Sequence, residues 1–406
     1  MNFIKLRKNN LRVENISAIK LAKRYKTPFY CYSLSQLKSN YRFINDTFKD
    51  VKPIICFSVK SNSNLDIIKI MKKFGIGADV VSLGELILAI KAGINPKKIV
   101  FSGVGKKSDE IKYAIEKGIL LINAESENEV IEIEKIAKKK NKKVKIGIRL
   151  NPNTDAKTLK NISTGKKENK FGIGLKDFLK IVNKFKNSRY LNISCLSVHI
   201  GSQITSNKPY DKMIKIIQNT IDRCGYKFEY VDLGGGMGIK YNNEKEINYN
   251  KYEKSIMNFL KSNDSKIIFE PGRSLIGNAG VLLTKVIYIK DGGIKRFIIL
   301  DAGMNDLIRP ALYKANHKIM TAVKSKNFIN KKHEFVGPIC ETTDSFGIFP
   351  KFQKLKQGDI LIIGDVGAYG KVLSSNYNLR PSSPEILIKG SKYKIIKKRQ
   401  KISELI

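Results

Sequence analysis

A few short stretches of this sequence carry side chains able to do covalent or acid–base chemistry. Lys60 closes an apolar, β-branched run, IICFSVK (54–60). An amine at the end of a buried strand is costly to desolvate without a partner, and it is a group that forms a Schiff base with a carbonyl cofactor. The plain alternative is a lysine that snorkels from a strand end. His199 ends ISCLSVHIG (193–201), either stacked on a flat ligand or satisfied within the core. Gly234, Gly235 and Gly236 close VDLGGG; such a run lets the backbone approach a ligand and offers N–H groups to a phosphate, though a flexible turn has the same composition. Glu270 and Arg273 stand together in EPGR. The carboxyl can pair with a protonated ring nitrogen and the guanidinium can bind a carboxylate through a bidentate fork, or the two can form a structural ion pair. Cys340 and Glu341, in VGPICETTDSFG, place a thiol beside an acid: a proton donor, or simple packing.

These residues need elements that bring them together. From about residue 53, apolar runs alternate with amphipathic stretches. The runs are IICFSVK (54–60), ADVVS (78–82), KIVFSG (98–103), LLINAE (120–125), KVKIGIRLN (143–151), ISCLSVHIG (193–201), FEYVDLGG (228–235) and KIIFEPG (266–272). Continuous apolar runs suit parallel strands buried on both faces. Between them lie helical patterns such as NLDIIKIMKKFG and GELILAIKAG, with Gly75, Gly93 and Gly118 where C-terminal glycines belong. Ser126 and Glu129 form a candidate capping box. Eight strand–helix repeats over about 230 residues predict an α/β fold containing a (β/α)8 barrel. The chemistry-bearing residues then fall at the C-terminal ends of strands one, six, seven and eight, where such barrels place their sites. Beyond about residue 283 the texture becomes short strands and turns, as in RFIILDAG and DILIIGDVGAYG. This predicts a mostly antiparallel β domain that also takes in the strand-like FYCYS near the N-terminus. The expected division is a barrel over 36–283 and a β domain from 1–35 with 284–406.

Composition narrows the function. No apolar stretch is long enough to span a bilayer, and the basic N-terminus lacks the apolar segment and cleavage site of a signal peptide. A cytoplasmic protein without a membrane partner is expected. Five cysteines without a C-x-x-C pair and only three histidines argue against a disulfide framework and a metal site. The net charge of +40 raises nucleic-acid binding as an outside reading. The excess is mostly lysine, spread over most helical segments, which favours general attraction of anions over a specific nucleic-acid partner.

Taken together, FSVKSNSN, GADVVSLGEL, INAESENEV, RLNPN, NKFGI, SVHIGSQI, VDLGGGMGIKY, EPGRSLIGNAG, DAGMNDLIRPALY, GPICETTD and GDVGAYG resemble, in order and spacing, the barrel-type pyridoxal-phosphate-dependent decarboxylases. The resemblance is to the diaminopimelate decarboxylases and, more broadly, to the ornithine/arginine group. It runs from FYCYSLSQL (29–37) to NLRP (378–381). It implies pyridoxal phosphate held by Lys60, with Asp79 supporting the lysine, His199 facing the ring, Ser202 and Gly234–Gly236 binding the phosphate, and Glu270 holding the ring nitrogen protonated. It implies Arg273, Arg309 and Tyr313 for the substrate carboxylate or distal end, Cys340 as proton donor to the α-carbon, Glu341 as reader of the distal amino-acid group, and Tyr369 in contact with cofactor and substrate. Cys340 and Glu341 would come from the second subunit of a homodimer with shared active sites. A racemase of the same barrel type fits HIGSQ and CETTD poorly. Ornithine-, arginine- or carboxynorspermidine-type decarboxylation is the nearer alternative. A cofactor-binding protein without catalysis would need only the barrel. Ser58 and Ser61 depart from the Y-A-V-K-A-N pattern of such families and are expected to loosen packing around Lys60.

Overall fold

The computed structural model describes residues 3–156, 164–166, 168–241 and 244–406; Met1 and Asn2, which open the N-terminal stretch read above, lie outside them. The chain divides into two compact units. One comprises Arg42–Ile239 and Lys245–Gly272; the other comprises Met1–Tyr41, Lys240–Glu244 and Arg273–Ile406. The expected boundary at 283/284 falls inside the long strand Gly280–Asp291 of the second unit.

The first unit is a closed barrel of eight parallel strands: β1 (Ile54–Ser58), β2 (Gly77–Val80), β3 (Ile99–Phe101), β4 (Leu121–Ala124), β5 (Val144–Arg149), β6 (Leu191–Ser197), β7 (Tyr230–Asp232) and β8 (Lys266–Phe269). Each predicted apolar run overlaps one of these strands; β2 begins one residue and β6 two residues ahead of the expected run. Closure is made by β8 on β1, where Ile268 pairs with Ile54 and Phe269 with Ile55. Polar caps start the helices between strands. Asn64 accepts from the Asp66 N–H, Ser82 from the Glu85 N–H and Ser126 from the Glu129 N–H, each satisfying a helix donor that has no intrahelical partner. The capping box at Ser126 is only half formed: the Glu129 carboxylate accepts from the Glu125 N–H, one residue before the cap. Gly75, Gly93 and Gly118 all adopt positive φ as the helices end.

Alternation along the strands decides where the site forms, because residues i and i+2 share a face. Cys56, Val100, Leu121, Cys195, Tyr230 and Ile268 make one buried apolar cluster. Two residues further along the same strands stand Ser58, Ser102, Asn123, Ser197, Asp232 and Glu270, all buried. The remaining strands follow the same step from Gly77 to Asp79 and from Gly147 to Arg149. Gly147 is required by close approach: a Cβ there would lie 2.0 Å from Asn123 Oδ1. Each strand thus passes from an apolar or small residue to a polar one as it reaches the C-terminal end of the barrel.

The second unit is built on a nine-stranded sheet. Its central strand, Gly280–Asp291, pairs antiparallel with Phe29–Ser33, Lys295–Leu300 and Ile360–Ile363. Phe29–Ser33 pairs in turn with Glu385–Lys389, so the N-terminal strand is integral to this sheet. Two of the pairings are parallel, Lys295–Leu300 with Lys332–Val336 and Phe29–Ser33 with Glu385–Lys389; the others are antiparallel. Phe29, Cys31, Val281, Leu283, Ile362, Ile386 and Ile388 form the core on one face.

Candidate active site

In the barrel, Lys60 lies in the turn Val59–Ser61 just past β1, not in the strand itself. Its Nζ is 2.7 Å from Asp79 Oδ2 on β2, and Asp79 is fully buried. Ser58 Oγ lies 2.7 Å from the same carboxylate oxygen and 2.9 Å from the Glu270 carbonyl. Ser61 Oγ donates to the Ser58 carbonyl at 2.7 Å. Both serines are buried, and a Cβ on Gly272 would meet Ser61 Cβ at 2.9 Å and Ser58 Cβ at 3.1 Å. The expectation that they loosen this segment is overturned, because small hydroxyl side chains both fit against Gly272 and fasten the turn.

Glu270 follows β8. Burial, then the nearby Asp232 and Asp79 carboxylates, push its pKa well above the usual carboxylate range. It hydrogen-bonds with Asp232, whose own pKa burial pushes up to about 6. Asp232 is the better candidate for the ionised member. It accepts from the Gly234 N–H at 2.9 Å, from Asn123 Nδ2 at 3.0 Å and from Ser197 Oγ at 3.1 Å, whereas among the described residues the neutral donor to Glu270 Oε1 is Ser102 Oγ at 3.3 Å. Asn123 also reaches Ser102 Oγ at 3.2 Å, linking the two acids through neutral groups.

His199 lies just past β6. Its Nδ1 accepts from the Gly235 N–H at 3.1 Å, and burial, then Arg149 and Lys60, lower its pKa well below the ordinary histidine value. The imidazole is therefore neutral. Arg149 is itself held by Glu125 at 2.9 Å, lies over the Phe171 ring of NKFGI and reaches the His199 carbonyl. The three glycines are shaped by contact. A Cβ on Gly234 would lie 2.4 Å from His199 Nδ1, on Gly235 2.2 Å from the Glu270 carbonyl oxygen, and on Gly236 2.4 Å from the Gly201 carbonyl oxygen. Bulk at any of the three would displace the HIGSQ or EPGR segment. The N–H groups of Gly234 and Gly235 are used internally, by Asp232 and His199.

A family model for pyridoxal-dependent decarboxylases, pyridoxal binding domain, matches residues 34–277. The diaminopimelate decarboxylase of Helicobacter pylori (strain 26695) is 42% identical over 95% of this chain and 96% of its own length. That of Aquifex aeolicus is 39% identical over 100% of this chain and 96% of its own. The crystal structure of diaminopimelate decarboxylase from M. jannaschii in complex with L-lysine superposes with a TM-score of 0.94 at 33% identity, covering 100% of this chain and 96% of that one. The chain belongs to the pyridoxal-dependent diaminopimelate decarboxylases.

The barrel's own atoms fit the cofactor of that family: an amine poised on a buried carboxylate, a neutral imidazole, a carboxyl held protonable by burial, and a closely packed glycine loop. In the second unit, Arg273 and Arg309 are both about 5% exposed. Arg273 lies over the Tyr369 ring at 4.9 Å and hydrogen-bonds to the Tyr241 hydroxyl. Arg309 lies over the other ring, Tyr241, at 4.7 Å, and its Nη1 is 3.0 Å from His317 Nε2. Burial lowers the Arg309 pKa, while the neighbouring Tyr241 raises it. Tyr313 closes the short helix Arg309–Tyr313 and also bears electrostatically on Arg309. Among the described residues no carboxylate forms an ion pair with Arg309.

Cys340 is the one exposed cysteine of the chain, so packing does not account for it. Its N–H donates to Asn378 Oδ1 at 3.2 Å; Glu341 accepts from the Tyr377 hydroxyl at 2.7 Å and the Thr343 hydroxyl at 3.1 Å. Ser202 is half-buried in the loop after β6. Sequence reasoning misread Ser58 and missed Asn123, Asp232, Tyr241 and His317. A signal for Ser58, Asn123 and Asp232 was present: each is a polar residue two positions beyond an apolar or small residue of a strand, in the inward register.

Proposed function

We propose that this chain decarboxylates meso-2,6-diaminopimelate to L-lysine and carbon dioxide, the last step of lysine biosynthesis. The observation that carries the substrate choice is the buried Arg309 guanidinium, which among the described residues forms no ion pair with a carboxylate and lies in the same unit as Arg273. A planar guanidinium suits a carboxylate bidentately, and a buried charge without a counter-ion is poorly tolerated unless a ligand supplies one. Diaminopimelate keeps a carboxylate at its distal end; ornithine offers none there.

Bound pyridoxal phosphate supplies a ring that takes up the electron pair left on the α-carbon when carbon dioxide departs. In this reading Lys60 holds the cofactor through its amine, kept charged and oriented by Asp79 until then. Glu270 would hold the ring nitrogen protonated. His199, uncharged, would lie against the ring; Ser202 and the loop Gly234–Gly235–Gly236 would hold the phosphate. Arg273, Arg309, Tyr313 and Tyr369 bind substrate carboxylate, with Tyr369 and Arg273 also touching cofactor. Glu341, which accepts from the Tyr377 and Thr343 hydroxyls, takes the distal ammonium. Cys340 delivers a proton to the α-carbon and is reprotonated from solvent.

The resemblance assigns Cys340 and Glu341 to the partner's active site, so the working unit is a homodimer in the cytoplasm. Its five free cysteines accord with a reducing compartment, and among the described residues no helix is long and apolar enough to cross a membrane. The test is release of carbon dioxide from meso-diaminopimelate, ornithine and arginine in parallel. A kcat/KM for diaminopimelate about a hundredfold or more above the others is expected; a preference for ornithine overturns the substrate assignment.

A further inference from the structure

Three histidines occur in the chain, and the chemistry above uses only His199. His317 is 3% exposed and makes two polar contacts: Nδ1 is 2.8 Å from the Gly364 carbonyl oxygen, and Nε2 is 3.0 Å from Arg309 Nη1. A carbonyl oxygen only accepts, so Nδ1 carries the proton. Nε2 therefore presents its lone pair, and the guanidinium donates to it. The tautomer is fixed by the fold. The Tyr241 and His317 rings meet edge to face, with centroids 5.4 Å apart and planes at 84°. The Arg309 guanidinium lies over one ring and bonds the edge of the other. It is thus fixed from two sides by groups without charge. Its Nε has no partner among the described residues, although it is buried.

We infer that His317 is a positioning residue for substrate: it orients Arg309 through an uncharged acceptor, so that the guanidinium keeps its full charge and a free N–H for a substrate carboxylate. The inference rests on the reading of Arg309 as a carboxylate-binding residue. An aspartate or glutamate in this place would hold the arginine equally well but would cancel its charge and compete with the substrate. An apolar side chain would leave a buried donor unsatisfied and the planar fork free to turn. Neutral imidazole avoids both. Its neutrality is secured by surroundings: burial, then Arg309, lowers the His317 pKa to about 3. The acid next to Gly364, Asp365, is itself pushed up to about 6 by burial, with Arg309 a minor opposing influence.

The experiment compares the holoenzyme with His317→Leu, His317→Gln, Arg309→Met and the Arg309→Met/His317→Leu double variant. It measures KM and kcat for meso-diaminopimelate, the visible spectrum of the bound cofactor and thermal unfolding. His317→Leu should raise KM by roughly 10- to 100-fold, the loss of one charge-assisted hydrogen bond, with kcat within about threefold and the cofactor spectrum unchanged. Glutamine, whose side-chain oxygen can accept from Arg309, should recover most of the loss. In the Arg309→Met background the leucine substitution should add less than about twofold, because a residue acting through Arg309 has nothing left to position. An unchanged KM in His317→Leu overturns the inference, as does a full additional loss in the double variant. If Arg309→Met alone leaves KM unchanged, the carboxylate reading of Arg309 fails first, which the same data set shows separately.

Discussion

Replacing Gly235 by alanine puts a methyl carbon 2.2 Å from the Glu270 carbonyl oxygen and 3.0 Å from its carbonyl carbon. Both obstacles are backbone, so no side chain can turn away. Restoring an ordinary contact of about 3.4 Å requires the ends of β7 and β8 to part by roughly an ångström. Three hydrogen bonds resist that movement: Glu270 N–H to the Gly234 carbonyl at 2.8 Å, Gly235 N–H to His199 Nδ1 at 3.1 Å, and the Tyr210 hydroxyl to the Gly235 carbonyl at 3.1 Å. Weakening them at about 1 kcal/mol each, or equivalently overpacking at about 1–3 kcal/mol, gives a cost of roughly 2–4 kcal/mol. Much of it falls on the arrangement of His199 and Glu270, and so on cofactor affinity. Pyridoxal phosphate should bind about 30- to 700-fold more weakly, as measured by titrating cofactor-depleted protein and following the visible absorbance. Gly105→Ala is the control: no atom lies within 4 Å of its Cβ position. A Gly235→Ala protein that binds cofactor within about threefold of wild type, with the control also unchanged, would refute the close-approach argument.

Lys60→Ala should abolish the visible absorbance of the lysine-linked cofactor, and borohydride should attach the cofactor to Lys60 in the wild type; labelling of another lysine shows the assignment to be wrong. Mixing inactive Lys60→Ala and inactive Cys340→Ala chains under exchange conditions should restore part of the activity, because a mixed dimer has one site with both residues intact; proven exchange without recovery counts against a shared site. The raised Glu270 pKa sets a pH dependence. A carboxyl whose folded pKa is raised contributes stability below its unfolded value near 4.3, and that contribution is lost as pH rises through the folded value. Between pH 5 and 8, cofactor-free wild type should therefore lose stability relative to Glu270→Gln, by up to about 1.4 kcal/mol per pH unit. His317 acts with the opposite sign, losing stability as pH falls below about 6.5, but it is common to both proteins and cancels. Parallel denaturation midpoints across that range would show that Glu270 does not carry the proton.

Much of the barrel was readable because its signals are local. A parallel strand buried on both faces shows as an apolar run, and a helix cap is a serine or asparagine at a fixed offset. Lys60, His199, the glycines and Glu270 could be assigned to one end of the expected barrel from chain position alone, since each stands at or near the end of a run. Asp232 and Asn123 stood in view within FEYVDLGG and LLINAE, yet their meaning depends on which parity of each strand faces inward. That parity emerges only when all eight strands close. Tyr241 and His317 were harder. The contact between them spans 76 residues of sequence, from a short segment after the glycine loop to a turn beyond RPALY, and no periodicity announces it. The two serines beside Lys60 were misread for a related reason. A hydroxyl in place of a methyl looks like lost packing until its acceptors, Asp79 and the Ser58 carbonyl, are known.

The polar layer at the end of the barrel admits a charge count that the overall composition hides. The chain carries +40, but this layer does not share that excess. Lys60 is offset by Asp79, and Arg149 by Glu125. Asp232 and Glu270 remain, and two buried carboxyls in hydrogen-bond contact hold a proton between them more readily than they ionise together. The count leaves one negative charge. Moving it would be costly, because Asp232 is fastened by three neutral donors that belong to β4, β6 and the glycine loop. One fixed negative charge and one transferable proton are what a single basic ring nitrogen needs in order to be held protonated without drawing a counter-ion from water. The layer is therefore set for the proposed role of Glu270 by groups that never touch the ring, and its charge is independent of the lysines that dominate the surface.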